Sequence, residues 1–401
     1  MPNIPARVAV AHRSPTIRPK SVRHAKLLPS LFPSPATPEH PPRDTDTCGA
    51  PLPPERQKLV GLARLAASAP KVEERRGTEY FLLPVRSVLN VCRSERVPFA
   101  WTVNPYRGCE FGCRYCYARY THEYLELPPE AFERQIFVKQ NAGERFAADL
   151  ARQLAVRTPQ GVVEHIAIGA ATDPYQPAER RFGNTRAILE QIAARPGLSV
   201  SVTTKSDQIV RDLDVLQRIA THSLLTINVS VTTLRPRLAR WLEPRAPRPD
   251  LRLAAVRRLR EAGLAVGVFA MPVLPGLTDR AEDLDALARA AREADACWFC
   301  GQVLFLMPAS RKVFLPFLEA KFPRLARSYR RWYSRNGYAP EQYREQIARR
   351  FAELRAKYGL AARPQPVRPD CTKVCWGTTH PQADQLELLP DRNEFTRACL
   401  A

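Results

Sequence analysis

The stretch DLRLAAVRRLREAGLAVGVFAM (250–271) contains one complete helix-to-strand unit. Apolar residues at helical spacing predict a helix over 250–262, and Gly263 is typical of the residue at which a helix ends. The run over 264–271 predicts a strand, because continuous Val, Leu, Ala and Phe suit a strand that is buried on both faces. The chain therefore contains the unit from which parallel sheets with helical connections are built.

The same unit recurs along the chain. Further apolar runs predict strands around Phe99–Val103 and at 165–170, 198–204, 224–231 and 298–307. Periodic stretches between them predict helices at 183–195, ending near Gly197, and at 207–222 and 280–295. About six such units predict an α/β fold, a complete or partial (β/α)6 barrel over 79–310, with its chemistry at the C-terminal ends of the strands.

The two flanks differ from this central pattern. The first 54 residues carry 13 of the 38 prolines, so residues 1–75 are predicted to be a Pro-rich disordered extension. Residues 311–365 are polar with aromatics at near-helical spacing, which predicts a basic helical appendage. Residues 366–401 are expected to form an irregular tail that contains cysteines.

The sequence argues against a membrane or secreted protein. It has no run of roughly 18 uncharged apolar residues, and the basic N-terminus lacks the apolar stretch of a secretory signal. Its ten cysteines do not form the dense ladder of a disulfide scaffold. We therefore expect a cytoplasmic protein with no membrane partner.

The chain is strongly basic, with a formal net charge of +21. Such a surface attracts phosphate without needing sequence recognition, so the charge favours a nucleic-acid partner. Arginine accounts for 51 of the 61 basic residues, in a chain also rich in Ala and Pro, so the coding bias of a GC-rich genome is an alternative source of part of the excess.

A group of cysteines follows the first predicted strand. The stretch NPYRGCEFGCRYCYAR (104–119) spaces three thiols by four and three residues: Cys109, Cys113 and Cys116. Three thiolates this close can converge on one cubane iron–sulfur cluster, and Gly108 and Gly112 allow the loop to wrap around it. With only three cysteines, a [4Fe–4S] cluster keeps one iron open for another ligand.

Two alternatives compete with a catalytic cluster. The three cysteines could hold zinc, with His122 as a fourth ligand, or could hold a purely structural iron–sulfur cluster. A small structural zinc module has no need of the barrel that follows. The position of the loop at the end of the first strand of a parallel fold favours catalysis.

The C-x3-C-x2-C pattern with an aromatic residue before the third cysteine resembles the signature of the radical S-adenosylmethionine superfamily. The blocks ATDPYQPAER, TTKSDQIVRDLD, EPRAPRPDLRL and MPVLPGLTD resemble a branch related to spore photoproduct lyase, over roughly residues 79–310. The resemblance implies an enzyme whose open iron chelates S-adenosylmethionine. Reductive cleavage then gives methionine and a 5′-deoxyadenosyl radical that takes hydrogen from the substrate.

The resemblance also implies cofactor-binding residues. Tyr115 matches the residue against the adenine, and Thr172 and Asp173 match a polar motif that faces the amino group of methionine. This chain has Gly-Ala-Ala-Thr-Asp-Pro where the motif is usually Gly-Gly-Glu. Matching positions for contacts to the carboxylate and ribose are Lys205 and Ser230, with Arg245 as a weaker carboxylate candidate. Core packing, helix capping or a solvated surface are the alternative roles.

The sequence contains two further pairs of closely spaced cysteines. Cys297 and Cys300 fall in a predicted strand, where an offset of three places side chains on opposite faces, so they are expected to be core cysteines. Cys371 and Cys375 lie in a loop, where a second cluster, a zinc or a catalytic thiol hydrogen donor is feasible. Any four-ligand site there needs ligands from His380, Cys399 or elsewhere.

The substrate is predicted to be a nucleic acid, bound through residues 311–365. This stretch has 14 Arg and Lys against 4 Asp and Glu, a difference of +10. A helix over 323–335 would align four arginines on one face: Arg324, Arg327, Arg331 and Arg335. The aromatic residues are expected to pack on the barrel, while one or two at the edge, such as Trp332 or Tyr338, could stack on an unpaired base. A solvated arginine face is the alternative.

Two other functions are alternatives to a radical enzyme that acts on a nucleic acid. The first is a radical enzyme acting on a protein or small metabolite, and the second is a non-catalytic, metal-stabilised nucleic-acid-binding protein. The electron donor is unidentified, and the sequence indicates no oligomeric state.

Overall fold

The computed structural model describes residues 59–94, 97–155 and 164–364. Within these ranges the chain forms eleven strands: β1 (Lys71–Arg75), β2 (Thr78–Leu83), β3 (Leu89–Val91), β4 (Trp101–Val103), β5 (Tyr106–Arg107), β6 (Gln135–Lys139), β7 (Ile166–Ile168), β8 (Ser199–Thr204), β9 (Leu224–Ser230), β10 (Val266–Val273) and β11 (Phe299–Val303).

The same ranges contain eleven α-helices: α1 (Gly61–Ala67), α2 (Ala142–Ala155), α3 (Glu179–Phe182), α4 (Asn184–Ala193), α5 (Leu213–Ala220), α6 (Pro236–Leu242), α7 (Pro249–Glu261), α8 (Ala281–Glu293), α9 (Pro308–Lys321), α10 (Pro323–Trp332) and α11 (Glu341–Tyr358). None of the described helices combines the length and apolar character needed to cross a bilayer.

The main sheet has seven strands in the order β11-β10-β9-β8-β7-β4-β3. Six of them, β4 and β7 to β11, pair in parallel and follow chain order, whereas β3 pairs antiparallel with β4. Among the described strands β3 and β11 are the two edges, so the sheet does not close on itself. The predicted α/β fold is confirmed, as a partial (β/α)6 barrel.

The strands and helices of the sheet follow the hydrophobic pattern. Strand β9 is buried along almost its whole length, as expected for a parallel strand covered on both faces. The predicted helices appear as α4, α5, α7 and α8, with ends that differ by a few residues. Gly197 and Gly263 follow helices α4 and α7 with φ of 83° and 80°, so both adopt the left-handed conformation of a helix stop.

A second, four-stranded sheet was not predicted. Its order is β1-β2-β6-β5, with β2 and β6 parallel. Helix α1 and strand β1 fall inside the predicted disordered extension 1–75, so that prediction is wrong for residues 61–75. They are ordered because Ala66 and Ala69 are buried against Leu83, Leu125 and Phe137. Residues 1–58 lie outside the described part.

The C-terminal helices belong to the main hydrophobic core. Phe314, Tyr329 and Phe351 from α9, α10 and α11 lie in the same buried cluster as the barrel strands. Phe351 stacks on Phe299 of β11 at 5.0 Å between ring centroids. Residues 311–364 therefore form the predicted helical appendage, and its aromatic residues pack on the open edge of the barrel. The predicted tail, 366–401, lies outside the described residues.

Gly301 shows how closely α11 approaches this edge. A Cβ atom at Gly301 would lie 1.9 Å from the Phe351 ring, so the ring occupies the space that a side chain on β11 would fill. A glycine at this position is what allows the helix to pack directly on the strand.

We expect Phe351→Ala to lower the free energy of unfolding by about 3–5 kcal/mol, because it removes a buried ring from the core and leaves a cavity. Urea denaturation followed by circular dichroism measures the change. Arg349→Ala, at an exposed position of the same helix, should stay within about 0.5 kcal/mol of wild type. Equal stabilities for the two variants would show that α11 is not part of the core.

Candidate active site

The cysteine loop lies at the C-terminal end of β4 and is packed against residues 129–135. The backbone N–H of Cys109 donates to the carbonyl of Phe132 at 2.9 Å. Gly108 has φ of +85°, and a Cβ there would lie 2.8 Å from the carbonyl oxygens of Gln135 and Phe132. Only glycine fits so close an approach to this neighbouring segment, and the predicted wrapping of the loop around a cluster stays a prediction.

Arg119 holds the far side of the loop. Its side chain is fully buried, and it donates to the carbonyls of Cys113 at 3.0 Å and Pro129 at 2.8 Å. Its charge is balanced by Glu133. Ser310 of α9 donates to the carbonyl of Cys116 at 2.6 Å, so the C-terminal helices also contact the loop.

The three cysteines are free thiols in a buried, partly cationic setting. Cys109 and Cys113 are 8% exposed, and Cys116 is half-buried. Burial raises the pKa of each thiol, while Lys205 and Arg252 act in the opposite direction on the pKa of Cys113 and Arg119 on that of Cys116. Thiolates here therefore need additional positive charge, which a bound metal centre supplies.

The donor set of the loop suits an iron–sulfur cluster. It consists of three free cysteine thiols within eight residues, and cysteine thiolates are the ligands of such clusters. No group of three His, Cys, Asp or Glu side chains in the described residues is arranged to hold a single metal ion.

His122, the fourth ligand of the zinc alternative, is occupied elsewhere. It is fully buried, with Nε2 3.0 Å from the carbonyl oxygen of Gln135. Its ring packs edge-on against Phe132 and Phe137. Burial lowers the pKa of His122 to about 4, so it is neutral. These contacts assign it a packing role beneath the loop.

A buried carboxylate joins the candidate cofactor residues. The hydroxyl of Tyr115 donates to Glu243, and Thr232 donates to the same carboxylate at 2.8 Å. Arg252 donates to the other oxygen of Glu243, and Lys205 Nζ lies 3.8 Å from the carboxylate. The structure therefore brings Tyr115 and Lys205 together, as their proposed roles require, through a residue that the sequence analysis missed.

The charges of this group determine its protonation. Burial alone would raise the pKa of Glu243, but Arg252 and Lys205 together with the Tyr115 hydrogen bond outweigh burial and hold that pKa at about 2. The carboxylate is therefore ionised at neutral pH. Two cations surround one anion, which leaves one net positive charge beside the cysteine loop to meet an anionic ligand.

Thr172 and Asp173 lie beside the loop but are already hydrogen-bonded. Thr172 Oγ1 donates to the carbonyl of Gly108 at 2.6 Å. The Asp173 carboxylate accepts from Thr204 Oγ1 at 2.6 Å and from the backbone N–H groups of Lys205 at 2.7 Å and Tyr175 at 3.0 Å. Both residues thus connect the ends of β7 and β8 to the loop, and their contact with methionine stays a prediction.

Ser230 and Arg245 are placed differently. Ser230 is buried at the end of β9, and its carbonyl accepts from Arg252 at 3.0 Å, so it adjoins the Glu243 group. The guanidinium of Arg245 donates to Thr78 at 2.8 Å and to the carbonyl of Glu133 at 3.3 Å. Arg245 is therefore engaged with the second sheet and does not join the other candidates.

Cys297 and Cys300 do not join the cysteine loop. Cys297 and Cys300 are half-buried free thiols rather than core residues, and Cys300 donates to the carbonyl of Ala362 at 2.9 Å. Burial raises the pKa of Cys300 to about 11, which keeps it protonated. Cys371 and Cys375, with His380 and Cys399, lie outside the described residues, and their role stays a prediction.

Comparison with known proteins places this site in a family. The model of the radical SAM superfamily matches residues 103–289, from the end of β4 into α8. An uncharacterised protein of Mycobacterium tuberculosis (strain ATCC 25618 / H37Rv) is 38% identical over 313 residues, which cover 78% of this chain and 89% of the relative. Another of Methanocaldococcus jannaschii is 29% identical over 185 residues, 46% of this chain and 64% of the relative.

Solved structures share the fold. A spore photoproduct lyase mutant has a TM-score of 0.53 at 17% identity, covering 70% of this chain and 79% of the lyase chain. A second lyase mutant, with bound AdoMet and dinucleoside spore photoproduct, has a TM-score of 0.53 at 15% identity, with 76% and 86% covered. At these identities the likeness establishes a common architecture.

We expect Glu243→Gln to lower the free energy of unfolding at pH 7 by about 3–5 kcal/mol, because Arg252 would remain buried without its counter-charge. The pKa of Glu243 is depressed when folded, so its stabilising effect is present above the ordinary pKa of 4.5 and is lost as the pH falls toward 2. The stability difference should therefore narrow from about pH 5 to pH 3.

Urea denaturation of both proteins across this range measures the difference. Glu261→Gln, an exposed carboxylate on α7, serves as the control and should stay near wild type at every pH. A stability difference for Glu243→Gln that did not change with pH would contradict an ionised Glu243.

Proposed function

The chain belongs to the radical S-adenosylmethionine superfamily, and we propose on that basis that it holds its cluster on Cys109, Cys113 and Cys116 and acts on a nucleic acid. It is an enzyme, and its cofactors are a [4Fe–4S] cluster and S-adenosylmethionine. When bound and reduced, these cofactors supply a 5′-deoxyadenosyl radical that removes a hydrogen atom from the substrate. The residues of the chain bind, orient and shield them.

The observation that carries the cluster assignment is the setting of the three thiols. They lie at the end of the first of six parallel strands, on the face where barrels of this kind place their chemistry. They are free, largely buried and close to Lys205, Arg252 and Arg119. Such surroundings suit a negatively charged cluster and exclude water from it.

Two residues are proposed to orient the second cofactor. Lys205 lies at the end of β8 with its ammonium 6.0 Å from the Tyr115 ring centroid, and its charge suits the carboxylate of methionine. The hydroxyl of Tyr115 is held by Glu243, which fixes the position of the ring beside the cysteine loop. Glu243 thus acts as a positioning residue for both.

Charge supports a nucleic acid as substrate. On α10 three exposed arginines have no carboxylate partner among the described residues: Arg324, Arg327 and Arg331. By contrast, Arg330 on the same helix pairs with Glu319. Because α10 ends at Trp332, the predicted fourth member, Arg335, lies beyond the helix. Unpaired guanidinium groups are suited to phosphates.

The aromatic residues proposed to stack on bases are occupied. Trp332 packs on Tyr343 at 5.0 Å, and Tyr338 packs on Phe305 at 4.6 Å between ring centroids. Substrate recognition by α10 is therefore proposed to be electrostatic. The solved lyase that carries a dinucleoside spore photoproduct supports the same class of substrate for this chain.

We expect protein reconstituted without oxygen to hold about four irons and four sulfides and to release 5′-deoxyadenosine from S-adenosylmethionine. Replacing Cys109, Cys113 and Cys116 with Ala should abolish both, as shown by metal analysis and chromatography. Cys297→Ala with Cys300→Ala is the matched control and should retain the cluster. A triple variant that kept its iron and its cleavage activity would overturn the assignment.

We expect changing Arg324, Arg327 and Arg331 to Gln to weaken binding of single-stranded oligonucleotides and to reduce the slope of log affinity against log salt by roughly 2, since each lost phosphate contact removes about 0.7. Fluorescence anisotropy measures both quantities. Arg330→Gln is the control, and 5′-deoxyadenosine release should not change. If wild type bound neither DNA nor RNA at low salt, a protein or small-metabolite substrate would replace this proposal.

A further inference from the structure

A second site lies on the catalytic face beside the cysteine loop. An open cavity of about 280 Å³ lies between α6, the loop after β10 and the junction of α9 with α10. Its walls include Arg237 and Trp241 of α6, Leu277 of the loop and Phe322 of the junction. Because α6 and this loop follow the C-terminal ends of β9 and β10, the cavity opens on the face that carries the chemistry.

Helix α6 connects this cavity directly to the candidate active site. It is seven residues long, or about 10 Å at 1.5 Å per residue. Immediately after Trp241, the carbonyl of Leu242 accepts a hydrogen bond of 2.9 Å from the backbone N–H of Arg114 in the cysteine loop. The next residue is Glu243, which contacts Tyr115. A ligand bound in the cavity would therefore be separated from the candidate active site by the length of α6 at most.

The indole of Trp241 gathers two cations. The guanidinium carbon of Arg237 lies 4.9 Å from the ring centroid, and Nζ of Lys321 lies 5.7 Å from it. Phe322 packs edge-on against the same indole at 5.8 Å, which fixes the ring. Cation–π attraction thus holds both side chains against the indole without a carboxylate, and of the two Arg237 lines the cavity.

Neither cation is neutralised among the described residues, where Arg237 and Lys321 form no ion pair. Arg235, in the wall of the same cavity, shows the contrast, because it donates to the carbonyl of Leu277 and lies 3.4 Å from Asp283. Two unpaired positive charges around one ring repel each other, and a bound anion relieves that repulsion. The arrangement is complementary to a phosphate group.

We propose that Arg237, Lys321 and Trp241 form a clamp that binds a backbone phosphate of a single-stranded nucleic-acid substrate beside the active site. The proposal rests on the nucleic-acid function proposed above and specifies where the strand lies. Arg324, the second residue of α10, is exposed and follows Lys321 by three residues in the chain.

The clamp is tested on the reconstituted full chain with Arg237→Gln combined with Lys321→Gln. Anisotropy of labelled single-stranded DNA and RNA, titrated against salt, should show a slope reduced by roughly 1.4, since two contacts at about 0.7 each are lost. Trp241→Leu, which keeps both charges but removes the ring, should weaken binding with a smaller change in slope. Trp241→Phe should restore most of the affinity, because it keeps an aromatic ring.

The matched control removes the same charge elsewhere. Arg258 and Arg292 are exposed, form no ion pair within the described residues, and lie in the last turns of α7 and α8, at the opposite end of the barrel. Arg258→Gln with Arg292→Gln should leave the slope at the wild-type value. If the control and the clamp variant lowered the slope equally, binding would depend on net charge alone and the clamp would be overturned.

The remaining outcomes separate the two proposals. If wild type binds single-stranded DNA and RNA and the clamp variant has the same affinity and salt slope, the clamp is overturned and the nucleic-acid function is retained. Wild type that binds neither strand overturns both. Inorganic phosphate or pyrophosphate that competes fully with the oligonucleotide at the clamp would assign the site to a free phosphate compound, and this also overturns it.

Discussion

The buried ion pair between Glu243 and Arg252 is the interaction on which the candidate site depends. Glu243 follows the end of α6. Its carboxylate contacts Tyr115 of the cysteine loop and Lys205 at the end of β8. Arg252 on α7 balances it and binds the end of β9 through Ser230. The Glu243 carboxylate thus fixes the relative positions of the segments that contact it. It stays ionised only because Arg252 balances its charge.

The C-terminal helices also contact the candidate active site. The sheet is an open partial barrel, and α9 to α11 cover the edge that β11 would otherwise leave bare. Ser310 of α9 then supports the carbonyl of Cys116, while Phe322 after α9 fixes the Trp241 indole. The basic helices are therefore held rigidly against the catalytic face, which is what a substrate-binding surface requires.

The features that could be predicted from the sequence are those that hydrophobic periodicity and local residue spacing encode. The parallel strands, the helices between them and the three cysteines of one loop all follow from patterns within a few residues. The second sheet was missed because its strands are short and β2 pairs with β6 across more than fifty residues. Glu243 was missed although its neighbour Arg245 was considered, because which charged residue of a turn becomes buried is decided by tertiary packing.

The exposed arginines differ in what restrains them. Arg258 and Arg292, like Arg324, are exposed and form no ion pair among the described residues. Arg237 differs because an indole fixes it beside a second cation and a cavity. A charge held in one position against repulsion loses little entropy on meeting a phosphate, whereas a free one must first be ordered. The clamp arginine is therefore proposed to bind a phosphate at a lower cost in side-chain entropy than the unrestrained arginines of α10.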